Sequence, residues 1–162
     1  TGDVLIQSAG TPWRPLVHIE DISRAFLCVA QAPRELVHNQ AFNVGRTDEN
    51  YRVRELAEMV CEVVPGSRVR YATGGGPDPR CYRVDCDKLP RVLPEFQPQW
   101  TVRAGMKQLY AAFRRHRLTH DQFQGDRFLR IKHILKLQAE GQIDASLRWA
   151  AEPRLAAERI PA

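Results

Sequence analysis

Between Asp3 and Ala72 the chain switches repeatedly between short apolar runs and helically spaced apolar positions, and glycine or proline marks most of the switches. The run Val4-Leu5-Ile6 within Asp3 to Gln7 reads as a strand, and Ala9-Gly10-Thr11-Pro12 turns the chain. Asp21 then reads as a helix N-cap, with Ile22, Ala25, Phe26, Val29 and Ala30 on one helical face behind it and Pro33 closing the helix. Ala41-Phe42-Asn43-Val44-Gly45 fits a buried strand whose tip carries an amide. Asn50 is a candidate cap for a second helix with Val53, Leu56, Ala57, Val60, Val63 and Val64 inward, stopped by Pro65-Gly66, and Ser67 to Ala72 is extended again. Strand, helix, strand, helix, strand is the alternation of an α/β layer fold.

The second half is less regular. Thr73 to Arg80 holds too much glycine and proline for regular structure and is a loop, with a ligand contact and a plain connector as equal readings. A short helix is expected from Asp87 to Leu93, and an extended link from Phe96 to Trp100. Thr101 then caps a helix with Val102, Met106, Leu109, Tyr110 and Phe113 inward. Thr119 to Trp149 is helical in pattern, with Phe128, Ile131, Ile134, Leu135 and Leu137 as packing residues and a break at Glu140-Gly141. The expected divisions are residues 1–116, a helical extension over 117–149, and a flexible tail over 150–162.

Composition narrows the function classes. With 162 residues and 43% hydrophobic content the chain can close one modest core. Charges interrupt every apolar stretch well short of the about 20 residues a membrane-spanning helix needs, so a soluble, cytoplasmic protein without a membrane partner is expected. The net charge of +5 favours an anionic partner, and arginine forks suit phosphate oxygens. Nucleic acid rests on that charge alone, with no reading motif or aromatic platform. Cys28, Cys61, Cys81 and Cys86 fall into no zinc-ligand spacing, so no metal and no disulfide framework is expected.

The known catalytic motifs for serine hydrolases, zinc proteases and P-loops do not occur in the sequence, and no G-x-G-x-x-G follows a strand into a helix. Gly74-Gly75-Gly76 leads into Pro77-Asp78-Pro79 instead, which leaves no helix N-terminus to hold a pyrophosphate. No tyrosine is followed by lysine four residues on.

A resemblance becomes specific at Arg14-Pro15-Leu16-Val17-His18-Ile19-Glu20-Asp21, which is similar to the R-[DP]-x-x-H-V-x-D element of the extended short-chain dehydrogenases/reductases, the NAD-dependent nucleotide-sugar epimerases and dehydratases. Further elements follow in that family's order. Phe42-Asn43-Val44-Gly45 resembles its Y-N-V-G strand, Arg54-Glu55-Leu56-Ala57 its next helix, and Asp85 with Lys88 its D-x-x-K element. Leu93 to Trp100 resembles its L-G-[FW]-x-P-x-[FWY] signature.

The resemblance implies the C-terminal part of a Rossmann-type fold that holds the nucleotide diphosphate of a sugar substrate. It implies NAD or NADP and a homodimer in the complete enzyme, with no cofactor held by this chain and no catalytic residue within it. The implied substrate contacts are Arg14, Asn43, Asp78 and Arg80. Arg14, on a loop over Arg14 to Asp21 that leads into the first helix, matches a phosphate-binding arginine, with an ion pair to Glu20 or Asp21 as the other reading. Asn43 matches an amide that holds the nucleotide, or is a buried, backbone-bonded asparagine. The family's loop arginine falls at Gly75, so Arg80 is the candidate substitute. The alternative functions are a non-catalytic nucleotide-sugar-binding or regulatory module and the nucleic-acid binder.

Overall fold

The structure is a computed structural model that describes residues 2–73 and 80–150. It divides into two compact units, Thr1–Arg114 and Arg115–Ala162.

In the first unit, β1 (Asp3–Ile6) pairs in parallel with β4 (Arg68–Tyr71), with Asp3 opposite Arg68 and Ile6 opposite Tyr71. Asp3 also binds Arg68 and Arg70 across that ladder, at 2.7 and 3.4 Å. The arginine hydrogen bond holds the Asp3 carboxyl below its usual range. A second ribbon joins β2 (Trp13–Pro15) antiparallel to β3 (Asn50–Arg52). The helices are α1 (Ile19–Gln31), α2 (Arg34–Val37), α3 (Val53–Val63), α4 (Lys88–Val92) and α5 (Val102–Arg115).

The core forms where α1 meets the α4 region. Ala25, Leu89, Leu93 and Phe96 are buried, and Cys28, Val29, Ala32, Val37, Phe42, Val44 and Val92 pack around them. Phe96 and Leu89 are fully enclosed. Burying a side chain of that size is worth about 1.5–3 kcal/mol, so this cluster supplies much of the unit's cohesion. The other face of α1 stays open, with Ile19, Phe26 and Leu27 at 66, 72 and 61% exposure.

The entry to α3 explains a glycine. The N–H of Arg54 donates to the carbonyl of Gly10 at 2.9 Å, and that of Val53 to Pro12 at 3.1 Å, so the β1–β2 connection caps the helix. Gly10 has φ +72°, and a Cβ there would lie 3.1 Å from Cβ of Arg54, which leaves glycine the residue that fits.

Several expected elements differ. Asp21 is not the cap of α1: His18 is, its Nδ1 accepting from the N–H of Glu20 at 3.2 Å. Asp21 lies inside the first turn, where its carboxylate is buried and works over a longer range. Asn50 belongs to β3, and the backbone N–H of Arg52 is held by the Glu55 carboxylate at 2.6 Å. Residues 41–44 form no strand and join no ladder among the described residues. The apolar positions of α5 include none that is buried, and Leu109 is 52% exposed.

The second unit contains α6 (His120–Gln124) and α7 (Arg130–Ala139), not one long helix. Thr119 caps α6 by accepting from the N–H of Gln122, whose side chain accepts from the N–H of Thr119. Gly141, at φ +68°, ends the helical course after α7, and Ile143 then bridges to Trp149. Ile134 and Leu137 are half-buried as expected, while Phe128, Ile131 and Leu135 are exposed. No helix among the described residues is long and apolar enough to cross a membrane.

Candidate substrate-binding site

The segment carrying Arg14, expected as a loop, is a strand. Strand geometry sends successive side chains to opposite faces, and directly opposite residues of a paired strand share a face. Arg14 lies opposite Tyr51, and Trp13 opposite Arg52. The Arg14 guanidinium donates to the carbonyl of Trp13 at 2.7 Å and to the carbonyl of Arg80, and its centre lies 5.6 Å from the Tyr82 ring. Glu20 and Asp21, its alternative partners from the sequence, are engaged elsewhere: Glu20 accepts from the Trp100 indole, and Asp21 from backbone N–H groups and Arg24. One face of the ribbon therefore gathers Arg14, Tyr51 and Tyr82. Burial, then the neighbouring Glu49 carboxylate, pushes the Tyr51 hydroxyl up, so it stays a neutral donor at neutral pH.

Residues 80–86 run against this ribbon without joining its ladder. The Trp13 N–H donates to the Cys81 sulfur at 3.5 Å. Asn50 imitates a strand neighbour: its Nδ2 donates to the carbonyl of Val84 at 3.0 Å while its Oδ1 accepts from the N–H of Val84 at 2.9 Å. Thr47 Oγ1 accepts from the N–H of Cys86 at 2.9 Å, and Asn43 Nδ2 donates to the carbonyl of Asp85, also at 2.9 Å. Polar side chains thus tie down a segment that has no backbone ladder partner among the described residues.

Beside these ties a cleft of about 280 Å³ opens between Pro15, Leu16, Phe42, Asn43, Gly45 and Cys86. Asn43 lies at its wall, exposed, with its amide committed to a backbone carbonyl; its sequence reading as a buried group does not hold. The Cys86 thiol is buried, and burial together with Asp85 and Asp87 pushes it up, away from nucleophilic use. Of the four expected contacts, Arg14 and Arg80 meet through a side chain-to-carbonyl bond, Asn43 lines the cleft, and Asp78, like Gly75, lies outside the described residues.

A second cavity, about 400 Å³ and mostly apolar, lies between Leu16, Ile19, Trp100, Val102, Met106 and Leu109. Its polar end is a closed network. His18 stacks on Trp100 at 3.9 Å, and because its Nδ1 accepts from Glu20, its Nε2 carries the proton toward Gln108 Oε1 at 2.7 Å. Glu20 accepts from Trp100 Nε1 and Gln108 Nε2, at 3.0 and 3.3 Å. These residues are spent on one another, and their packing implies a catalytic role for none of them. Tyr51 went unnoticed and Asn50 read as a helix cap because β3 is three residues long and too short to show a period.

Residues 1–45 match the NAD dependent epimerase/dehydratase family, a span that contains Arg14 and Asn43. Solved structures share the fold. The UDP-glucuronic acid 4-epimerase from Bacillus cereus, in complex with UDP-glucuronic acid and NAD, aligns with a TM-score of 0.58 at 16% identity, over 70% of this chain and 36% of that one. The PbgP3 protein from Burkholderia pseudomallei aligns at 0.56 and 20% identity, over 70% and 35%. A GalE-like L-threonine dehydrogenase from Cupriavidus necator aligns at 0.54 and 17% identity, over 68% and 40%. The chain therefore spans little more than a third of the length of these structures. The resemblance to the extended short-chain dehydrogenases/reductases is borne out, and the α/β arrangement is part of their Rossmann-type fold.

Proposed function

We propose that this chain is the substrate-holding part of an NAD(P)-dependent nucleotide-sugar epimerase or dehydratase, and that Arg14 grips the diphosphate of the substrate. The observation that carries the reading is the setting of Arg14: a permanently charged fork on a strand, steadied by the Tyr82 ring and the Arg80 carbonyl, within the segment that matches the family. Tyr82 on the same face offers a hydroxyl donor, and the cleft beside Asn43 has room for part of a nucleotide. Asn43, Arg80 and Asp78 complete the proposed set, and residues 1–116 form its proposed domain, with 117–149 an appended helical part. The homodimer of the complete enzyme belongs to the same reading.

The residues present do not fit the dinucleotide itself. A pyrophosphate sits at the open N-terminus of a helix that follows a parallel strand. Here β1 leads to β2, the α1 terminus is closed by His18, and the α3 terminus is closed by the Gly10 and Pro12 carbonyls and Glu55. No chemical step is assigned to this chain, and it is expected to be inactive alone.

The test is a titration of the chain with UDP-glucuronic acid, UDP and UMP, followed by NMR at the Arg14 and Arg80 amides, with L-threonine as the control for the dehydrogenases that share the fold. Tighter binding of the diphosphates than of UMP, weakened about tenfold in Arg14→Gln, is the expected result. Equal binding of UDP and UMP, or a response to L-threonine alone, would overturn the reading.

A further inference from the structure

The β2–β3 ribbon has a second face, opposite Arg14, where Trp13 lies directly across from Arg52. Arg83, the neighbour of Tyr82, reaches the same indole. Its guanidinium centre lies 4.5 Å from the Trp13 ring centroid, and that of Arg52 lies 5.3 Å away. One aromatic ring therefore holds two guanidinium groups from two different segments.

Neither cation is paired with a carboxylate among the described residues. Five other arginines of this unit pair with acids: Arg24 with Asp21, Arg46 with Asp48, Arg68 and Arg70 with Asp3, and Arg103 with Glu62. At Trp13 two like charges are gathered on one ring, and an external counter-charge would offset their repulsion. Each guanidinium presents a fork of N–H donors. A carboxylate has two oxygens and satisfies one fork. A phosphate ester carries three peripheral oxygens and up to two charges, which match two forks.

We propose that Trp13, Arg52 and Arg83 form a phosphate-binding site on the face of the ribbon opposite Arg14, separate from the diphosphate grip and taking the phosphate group of a phosphorylated ligand. Ring contacts limit how far the guanidiniums wander, so little side-chain freedom is lost when the anion arrives. The site accepts the same chemistry from a free phosphate or from a phospholipid headgroup.

The experiment is a titration of the chain with inorganic phosphate at constant ionic strength in chloride, read at the indole N–H of Trp13 by NMR, with Trp13→Phe identifying the signal. A saturable shift is expected, with affinity at least tenfold weaker in Arg83→Gln and in Arg52→Gln and unchanged in Arg14→Gln. Arg83→Lys, which keeps the charge and loses the fork, should fall between, and circular dichroism verifies that each variant is folded. Vesicles of phosphatidylcholine with and without phosphatidic acid run in parallel; binding only to the acidic ones, lost in the same two variants, assigns the phosphate to a headgroup. No saturable shift with phosphate and no selective vesicle binding would overturn the proposal. So would a response lost equally in Arg14→Gln, which would trace it to the other face. Failure here leaves the UDP titration untouched, because the two readouts lie on opposite faces.

Discussion

The buried carboxylate of Asp21 accepts a hydrogen bond from the backbone N–H of Trp100 at 2.9 Å, across 79 positions of sequence, and the neighbouring N–H of Gln99 adds two more contacts at 3.0 and 3.1 Å. This joins the first turn of α1 to the link that enters α5. Asp21→Asn keeps the shape but replaces one acceptor oxygen with a donor facing donors. It should destabilise the chain by about 3 kcal/mol in urea unfolding, whereas Glu20→Gln, on the exposed side of the same turn, should cost under about 1 kcal/mol.

Asn50 serves residues 80–87 in the way Asp21 serves the link. Asn50→Ala leaves both backbone groups of Val84 without their partner, and a loss of about 2 kcal/mol is expected. Amide hydrogen exchange should accelerate at Val84 and Cys86 in this variant, while the β1–β4 ladder keeps its protection. Equal acceleration everywhere would show that Asn50 supports the whole unit and not this segment.

Cys86 sets an alkaline limit. Burial, with Asp85 and Asp87 nearby, raises its thiol in the folded chain above the unfolded value, so the folded state holds the proton more tightly. That contribution is fully present below the unfolded value of about 8.5 and is lost as pH rises through the folded one. Cys86→Ala should therefore flatten the fall in melting temperature on the alkaline side, with little change in slope below neutral pH. At a fixed mildly alkaline pH, alkylation followed by mass spectrometry should label exposed Cys81 before Cys86.

The open side of α1 is a solubility question. Phe26 is 72% exposed and Ile19 66% exposed, in a helix whose other side is packed. Phe26→Glu should lower self-association measured by sedimentation at high concentration, with the melting temperature held within about 2 °C. Unchanged association would move the sticky surface elsewhere.

How far the sequence reached depended on periods and on neighbours. Strand β1, the α1 and α3 helices, β4 and the break at Gly141 were legible because apolar spacing and turn residues are local signals. The three-residue strands β2 and β3 are too short to show a period, so Arg14 was expected on a loop and Asn50 as a cap. Asp21 misled because aspartate in a first turn has two uses, capping and long-range acceptance, and only the fold brings Gln99 and Trp100 to it. Residues 41–44 had a strand's composition but join no ladder among the described residues, and composition does not report pairing. At the site, the sequence identified Arg14 as the charge to follow. Its partner ring Tyr82 and the opposed Trp13–Arg83 pair required the ribbon's register to become visible.

That register has an evolutionary consequence. The carbonyls of Gly10 and Pro12 are fixed by the start of α3, so the ribbon's phase is anchored just upstream of Trp13. Inserting one residue between Pro12 and Trp13 would exchange the two sides of the strand, sending the indole to the tyrosines and Arg14 to the other arginines. A two-residue change would restore the phase. Among homologous chains, length variation at this turn should therefore come in even steps wherever the arginine keeps its place.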